Sequence, residues 1–287
     1  TTGEHVWADR YDGNLVDVFV LQDEITRTIV STIVGRLEDS QAERLGRRPM
    51  HDFSAYDEVL RGQKHLHQYT QRDYESGREC FQRAIEIDPK FAHAHAMLAI
   101  ADVYCWFWDD TKARLGIATA TGERALLLGP NESKCHLALG VAHLFGAAHD
   151  KAGYHLERAS ELNSNDDLTM VENGRYCMYV GQPDDGAALI RQAMRRNPYH
   201  PNWYWNILGR CFHSAGEFAK AIAVFERVAS PPFWTHAYLT ACHTAVENVK
   251  QAAEHRDTTL ALRPDFSVAR FAQNFLISPH WVVRIEC

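Results

Sequence analysis

The sequence has no uninterrupted apolar run suited to crossing a bilayer. Of its longest uncharged stretches, Val228–Val246 is broken by Pro231-Pro232, three threonines and two histidines, and Cys135–His149 is too short. It has no excess of positive charge: 30 Lys and Arg stand against 37 Asp and Glu, for a formal net charge of −7, so a general nucleic-acid surface is not expected. No CxxC pair occurs, and the seven cysteines are widely spaced and odd in number. That excludes a disulfide framework and suits free, packed thiols in a reducing, cytoplasmic setting.

Catalytic signatures are also missing. There is no GxxxxGK(S/T) or GxGxxG phosphate cradle and no GxSxG nucleophile elbow. The 16 histidines include no pair three or four residues apart, the spacing that puts two ligands on one helix face. His65/His67 and His93/His95 are two apart, and no metal site is expected from them. Acidic pairs such as Asp109-Asp110, Asp166-Asp167 and Asp184-Asp185 suit turns and helix starts, where aspartate caps the backbone. Neither an enzyme activity nor a cofactor is expected of this chain.

What the sequence does have is a recurring pattern of small residues set among large ones. Trp205, Leu208, Gly209, Phe212, Gly216, Phe218, Ala221, Phe225 and Val228 follow one another at intervals of 3, 1, 3, 4, 2, 3, 4 and 3. Leu139, Gly140, Ala152, Leu156 and Ala159 repeat it two units earlier, with Gly174, Gly181, Ile190, Ala193 and Pro198 between. Gly77, Phe81, Ala84 and Pro89 belong to a first unit, and Leu98, Ala99, Ala118, Ala125 and Pro130 to a second. A weaker sixth unit contains Ala241, Ala253, Leu260 and Pro264. Asp88-Pro89, Gly129-Pro130, Asn197-Pro198 and Arg263-Pro264 each end a helix, because proline cannot continue one.

These spacings describe a seam between paired helices. Gly209 lets a first helix approach a second at Ala221, and Phe212, Phe218 and Phe225 fill the space around the contact. Each such aromatic contributes on the order of 1.5–3 kcal/mol on burial. One pair cannot bury its apolar face alone, so the units must stack.

The pattern resembles the tetratricopeptide repeat. The resemblance implies an all-α, right-handed α-solenoid of about six helix pairs over residues 51–267, closed by 268–287. Two units are longer than the family's, near His67–Arg72 and around Cys105–Ile117. The second insertion brings Trp106, Phe107 and Trp108 together, either to wedge against another unit or to form a knob that touches a partner.

In the family the first helices of successive units line the concave face. Matching positions here are His93, Tyr104, Lys134, Phe145, Arg175, Tyr179, Trp203, Asn206, Arg210 and His213, with Ile100, Val141, Met178 and Tyr238 beside them. The resemblance therefore implies a groove for a protein or peptide segment, and Lys134, Arg175 and Arg210 suggest an acidic one.

The N-terminal 50 residues read differently. Val6–Tyr11 alternates like the end of a strand, and Asp17 can cap a helix with a Leu21, Ile25, Ile29, Ile33, Leu37 stripe. TGEHVWADRYDG and DVFVLQDEITRTIV, followed by repeats, resemble the junction of a TolB-like module with tetratricopeptide repeats in bacterial signalling proteins. That resemblance implies a fragment of a longer protein, most often one headed by a class III adenylate cyclase domain. A winged-helix DNA-binding head and a free-standing scaffold are the alternatives. Apolar solenoid ends could also pair two copies in a homodimer.

Overall fold

A computed structural model describes residues 51–274 except Asp110. The expected strand and amphipathic helix before His51, and the chain beyond 274, lie outside these residues. The described residues form thirteen helices: α1 (His51–Leu66), α2 (Gln71–Ile87), α3 (Ala92–Asp109), α4 (Lys112–Leu128), α5 (Ser133–Phe145), α6 (His149–Leu162), α7 (Asp167–Tyr179), α8 (Pro183–Arg196), α9 (Trp203–Ser214), α10 (Phe218–Phe225), α11 (Phe233–Ala245), α12 (Val249–Leu262) and α13 (Val268–Asn274). They make six antiparallel pairs and a closing helix, an α-solenoid. None of them is long and apolar enough to cross a membrane.

Local chemistry sets the ends. The Thr70 hydroxyl accepts from the Asp73 amide to start α2, and the Asp166 carboxylate accepts from the Thr169 amide to start α7. Asp88-Pro89, Gly129-Pro130, Asn197-Pro198 and Arg263-Pro264 follow α2, α4, α8 and α12 directly, as the sequence predicts. Gly181 and Gly216 turn the chain after α7 and α9 with φ of 85° and 78°, a region open to glycine without strain.

The seam forms where the spacings place it, with one refinement. An added Cβ at Gly209 would lie 2.6 Å from the Phe225 ring, so Phe225 rather than Ala221 fills the glycine's notch. Leu156 does the same at Gly140, and Ile190 at Gly174, each 2.7 Å from the added carbon. The sixth unit needs a correction. Leu260 is 43% exposed, whereas Thr259 is 3% exposed and Ala252 is buried. The inward row of α12 is Ala252 and Thr259, seven residues apart like Ala152 and Ala159 in α6, and not Ala253 and Leu260.

Both insertions turn inward. The second unit's extra residues lengthen α3, which carries Trp106, Phe107 and Trp108 at its end. They pack on Phe145 and on Trp234 of the sixth unit; the Trp108 and Trp234 ring centroids are 4.5 Å apart. The aromatics thus wedge, and they do so against a distant unit. The first unit's extra loop holds Tyr69 in the left-handed region, φ 59°, where a buried hydroxyl accepts from Trp234 Nε1 at 2.7 Å. Arg263 completes the contact by donating to the Trp108 carbonyl at 2.7 Å. Units one and two therefore bond directly to the end of the array.

Candidate functional site

The first helices of the pairs bring most of the expected groove residues into one enclosed centre. Arg175, on α7, is 2% exposed. Its Nη2 donates to Glu172 Oε1 at 3.0 Å, and its Nε lies 3.0 Å from Oε2. Its guanidinium carbon sits 5.6, 5.5 and 5.6 Å from the ring centres of Phe107, Phe145 and Trp203. Each of the three ring faces attracts the desolvated cation. Tyr104 donates to Glu172 Oε1 at 2.8 Å; burial first, then that carboxylate, pushes the phenol well above its ordinary pKa and keeps it a neutral donor.

Arg210, on α9, is 3% exposed. It donates to the Tyr179 hydroxyl at 2.6 Å and lies over the rings of Tyr179 and Tyr238 at 5.6 and 5.4 Å. His213 meets Tyr238 edge-on at 5.0 Å. Asn206, 0% exposed, donates to Thr235 Oγ1 at 2.6 Å and leaves its Oδ1 without a hydrogen bond. Trp203 Nε1 is likewise buried without one. Between these groups lies a cavity of about 10 Å³, room for one water molecule.

Two expected residues stand apart. Lys134 Nζ holds both Asp166 oxygens at 2.7 and 2.8 Å, and that ammonium keeps the carboxyl below its usual range although burial works the other way. His93 lies near this pair; burial, and then Lys134, lowers it to about 4.

The three cations that suggest an acidic segment are each engaged within the chain. Arg175 is bonded to Glu172, Lys134 to Asp166, and Arg210 to tyrosines. The inner face is closed because the lengthened α3 and the Tyr69 loop fill it. Sequence reasoning missed Tyr69, Glu172 and Trp234. Glu172 was within reach, since it precedes Arg175 by three residues on one helix face. Tyr69 and Trp234 carry no such signal.

Comparison with known proteins agrees with this architecture. Tetratricopeptide repeat models match residues 171–233 and 68–91, so the chain contains such repeats. A protein of Rhizobium meliloti (strain 1021) named "Putative adenylate cyclase 3" is 35% identical over 145 residues, 50% of this chain and 25% of that protein. The match thus spans a quarter of the relative's length. Human IFIT1, as a dimer with PPP-AAAA, is similar in structure with a TM-score of 0.59 at 17% identity, covering 81% of this chain and 59% of its own. The APC/C Cut9–Hcn1 hetero-tetramer gives 0.59 at 16% identity, over 84% of this chain and 44% of that one. At these identities the two structures establish the fold alone. A tetratricopeptide solenoid is a protein-interaction scaffold.

Proposed function

We propose that this chain is the interaction arm of an adenylate cyclase-type signalling protein, and that its inner face receives an acidic segment of a protein partner. The identity to the Rhizobium meliloti protein supports the first part. The observation that carries the second is the charge of the interior: Arg175 and Arg210 line the cavity, with Glu172 as the carboxylate bonded to Arg175. A partner's carboxylate can take a guanidinium in two parallel hydrogen bonds, and the Tyr and Trp rings beside it supply rigid contact area. Entry requires Trp234 to release Tyr69.

The test is titration of the interior tryptophan fluorescence with a short glutamate-rich peptide and with its glutamine counterpart. A saturable response to the first alone supports an acidic-segment site; equal responses overturn it. For the cyclase part, the longer protein should make cyclic AMP from ATP, at a rate that changes when residues 1–287 are removed. No cyclic AMP from the longer protein removes that part and leaves the scaffold.

A further inference from the structure

Two sets of three histidines occupy equivalent places in the third and sixth units. His136, His143 and His155 are separated by seven and twelve residues, and so are His236, His243 and His255. In each set two rings come from the first helix of the pair and one from the second.

The geometry repeats as faithfully as the spacing. His136 and His155 face each other through their Nδ1 atoms at 3.1 Å, and His236 and His255 through theirs at 3.0 Å. The third ring stacks on the same partner: His143 on His155 at 5.7 Å, and His243 on His255 at 5.4 Å between centroids. His136 Nε2 lies 3.2 Å from the Pro130 carbonyl. A carbonyl only accepts, so that nitrogen carries the proton, and the neutral ring offers a bare Nδ1 to the Nδ1–H of His155. A contact of this kind needs one proton for two nitrogens. One added proton can sit on the far nitrogen of a ring and leave the contact intact, but a second charges both rings and sets two N–H groups and two charges against each other.

The surroundings do little to hold that second proton. Around the first set stand Lys151 and Arg158 of α6, which oppose it, and Glu123 of α4, which favours it on His143. Around the second are Glu226, just after α10, and Glu254 of α12, both of which favour it. Burial, the largest influence in every case, outweighs them and pulls all six rings below the usual histidine range, His155 to about 4.

Both sets sit on helices that also close the centre. α5 carries Phe145 onto Arg175, and α11 carries Trp234 onto Tyr69 and Tyr238 onto Arg210. We propose that the two histidine sets are matched acid-labile clasps, in which charging both rings of the Nδ1–Nδ1 contact parts α5 from α6 and α11 from α12 and frees the faces that seal the interior. The clasps make access to the solenoid's interior proton-dependent, whatever binds there.

The sign follows from the direction of the shifts. Rings kept neutral when folded take up protons on unfolding, so stability is level above the ordinary histidine value near 6.5 and falls as pH drops below it. Thermal melts of the full chain at pH 7 and 5.5 should differ by about 5 °C. His136→Gln/His155→Gln combined with His236→Gln/His255→Gln should remove at least half of that loss, while His149→Gln, elsewhere on α6, should keep all of it. A wild-type chain with equal melts at the two pH values, or a fourfold variant with the full loss, overturns the clasps. Should the fourfold variant fail to fold, NMR titration of the histidine rings in the native chain decides. Rings titrating well below 6.5 support the inference; all rings titrating together near 6.5 overturn it.

Discussion

The indole nitrogen of Trp234 donates to the hydroxyl of Tyr69 at 2.7 Å, across 165 residues of sequence. This bond joins the loop of the first repeat to the first helix of the sixth. Its partners are buried, and both contribute ring area as well as a polar atom.

Trp234 therefore holds the array together in two separable ways. Trp234→Phe keeps the ring in place and removes the donor, which should cost about 1 kcal/mol. Trp234→Ala also opens a cavity and should cost about 3–5 kcal/mol. Urea unfolding of both variants checks the difference; equal losses would mean the hydrogen bond carries the whole contact.

The seam glycines should divide by what faces them. Gly209→Ala forces a carbon to within 2.6 Å of the Phe225 ring and should cost about 1–3 kcal/mol. Gly174→Ala meets the Gly186 carbonyl at 2.8 Å, a backbone atom that cannot rotate away, and should cost at least as much. Gly116, exposed in mid-helix, has nothing within 4 Å of an added carbon, so Gly116→Ala should gain about 0.5–1 kcal/mol. Gly116→Ala should melt highest, Gly209→Ala lower, and Gly174→Ala no higher than Gly209→Ala.

Breaking the central ion pair from one side leaves a buried charge. Glu172→Gln or Arg175→Met should each cost about 3–5 kcal/mol, because the remaining partner keeps its desolvation penalty. Glu172→Leu/Arg175→Met removes both charges and should cost less than the two single losses together. A double-mutant cycle by chemical denaturation measures that coupling. Additive losses would show that the two side chains act independently.

The cysteines should be inert while the chain is folded. Burial pushes the thiols of Cys135, Cys211 and Cys242 up to about 12, and that of Cys105 higher still. Alkylation followed by mass spectrometry at pH 8 should leave these four unmodified until denaturant is added. Rapid native labelling of any of them would mean that its helix pair opens readily.

Much of the fold was legible because each repeat satisfies itself with close neighbours. Gly209 and Phe225 lie within one unit, so their spacing alone reports the contact. Proline after Asp88, Gly129, Asn197 and Arg263 marks helix ends for an equally local reason. The register of α12 was misread because alanine and leucine at 253 and 260 look more apolar than Ala252 and Thr259. There, packing and not composition chose the inward row. The centre was half legible. Family positions found eight residues that meet inside, yet Tyr69 and Trp234 are joined by the superhelix and not by any periodicity. The histidine sets were visible as a spacing of seven and twelve, although a search confined to pairs three or four residues apart passes over them.

The bond from Arg263 to the Trp108 carbonyl has a consequence for how the molecule comes apart. An open stack of repeats frays like a rope, losing its outermost strand first and keeping the rest. Here the last unit is tied to the second through Arg263 and to the first through Trp234, so neither end is free to peel. The array behaves as a closed hoop. It should resist slow erosion by proteases at its ends and then fail in a single step, with the six units released together.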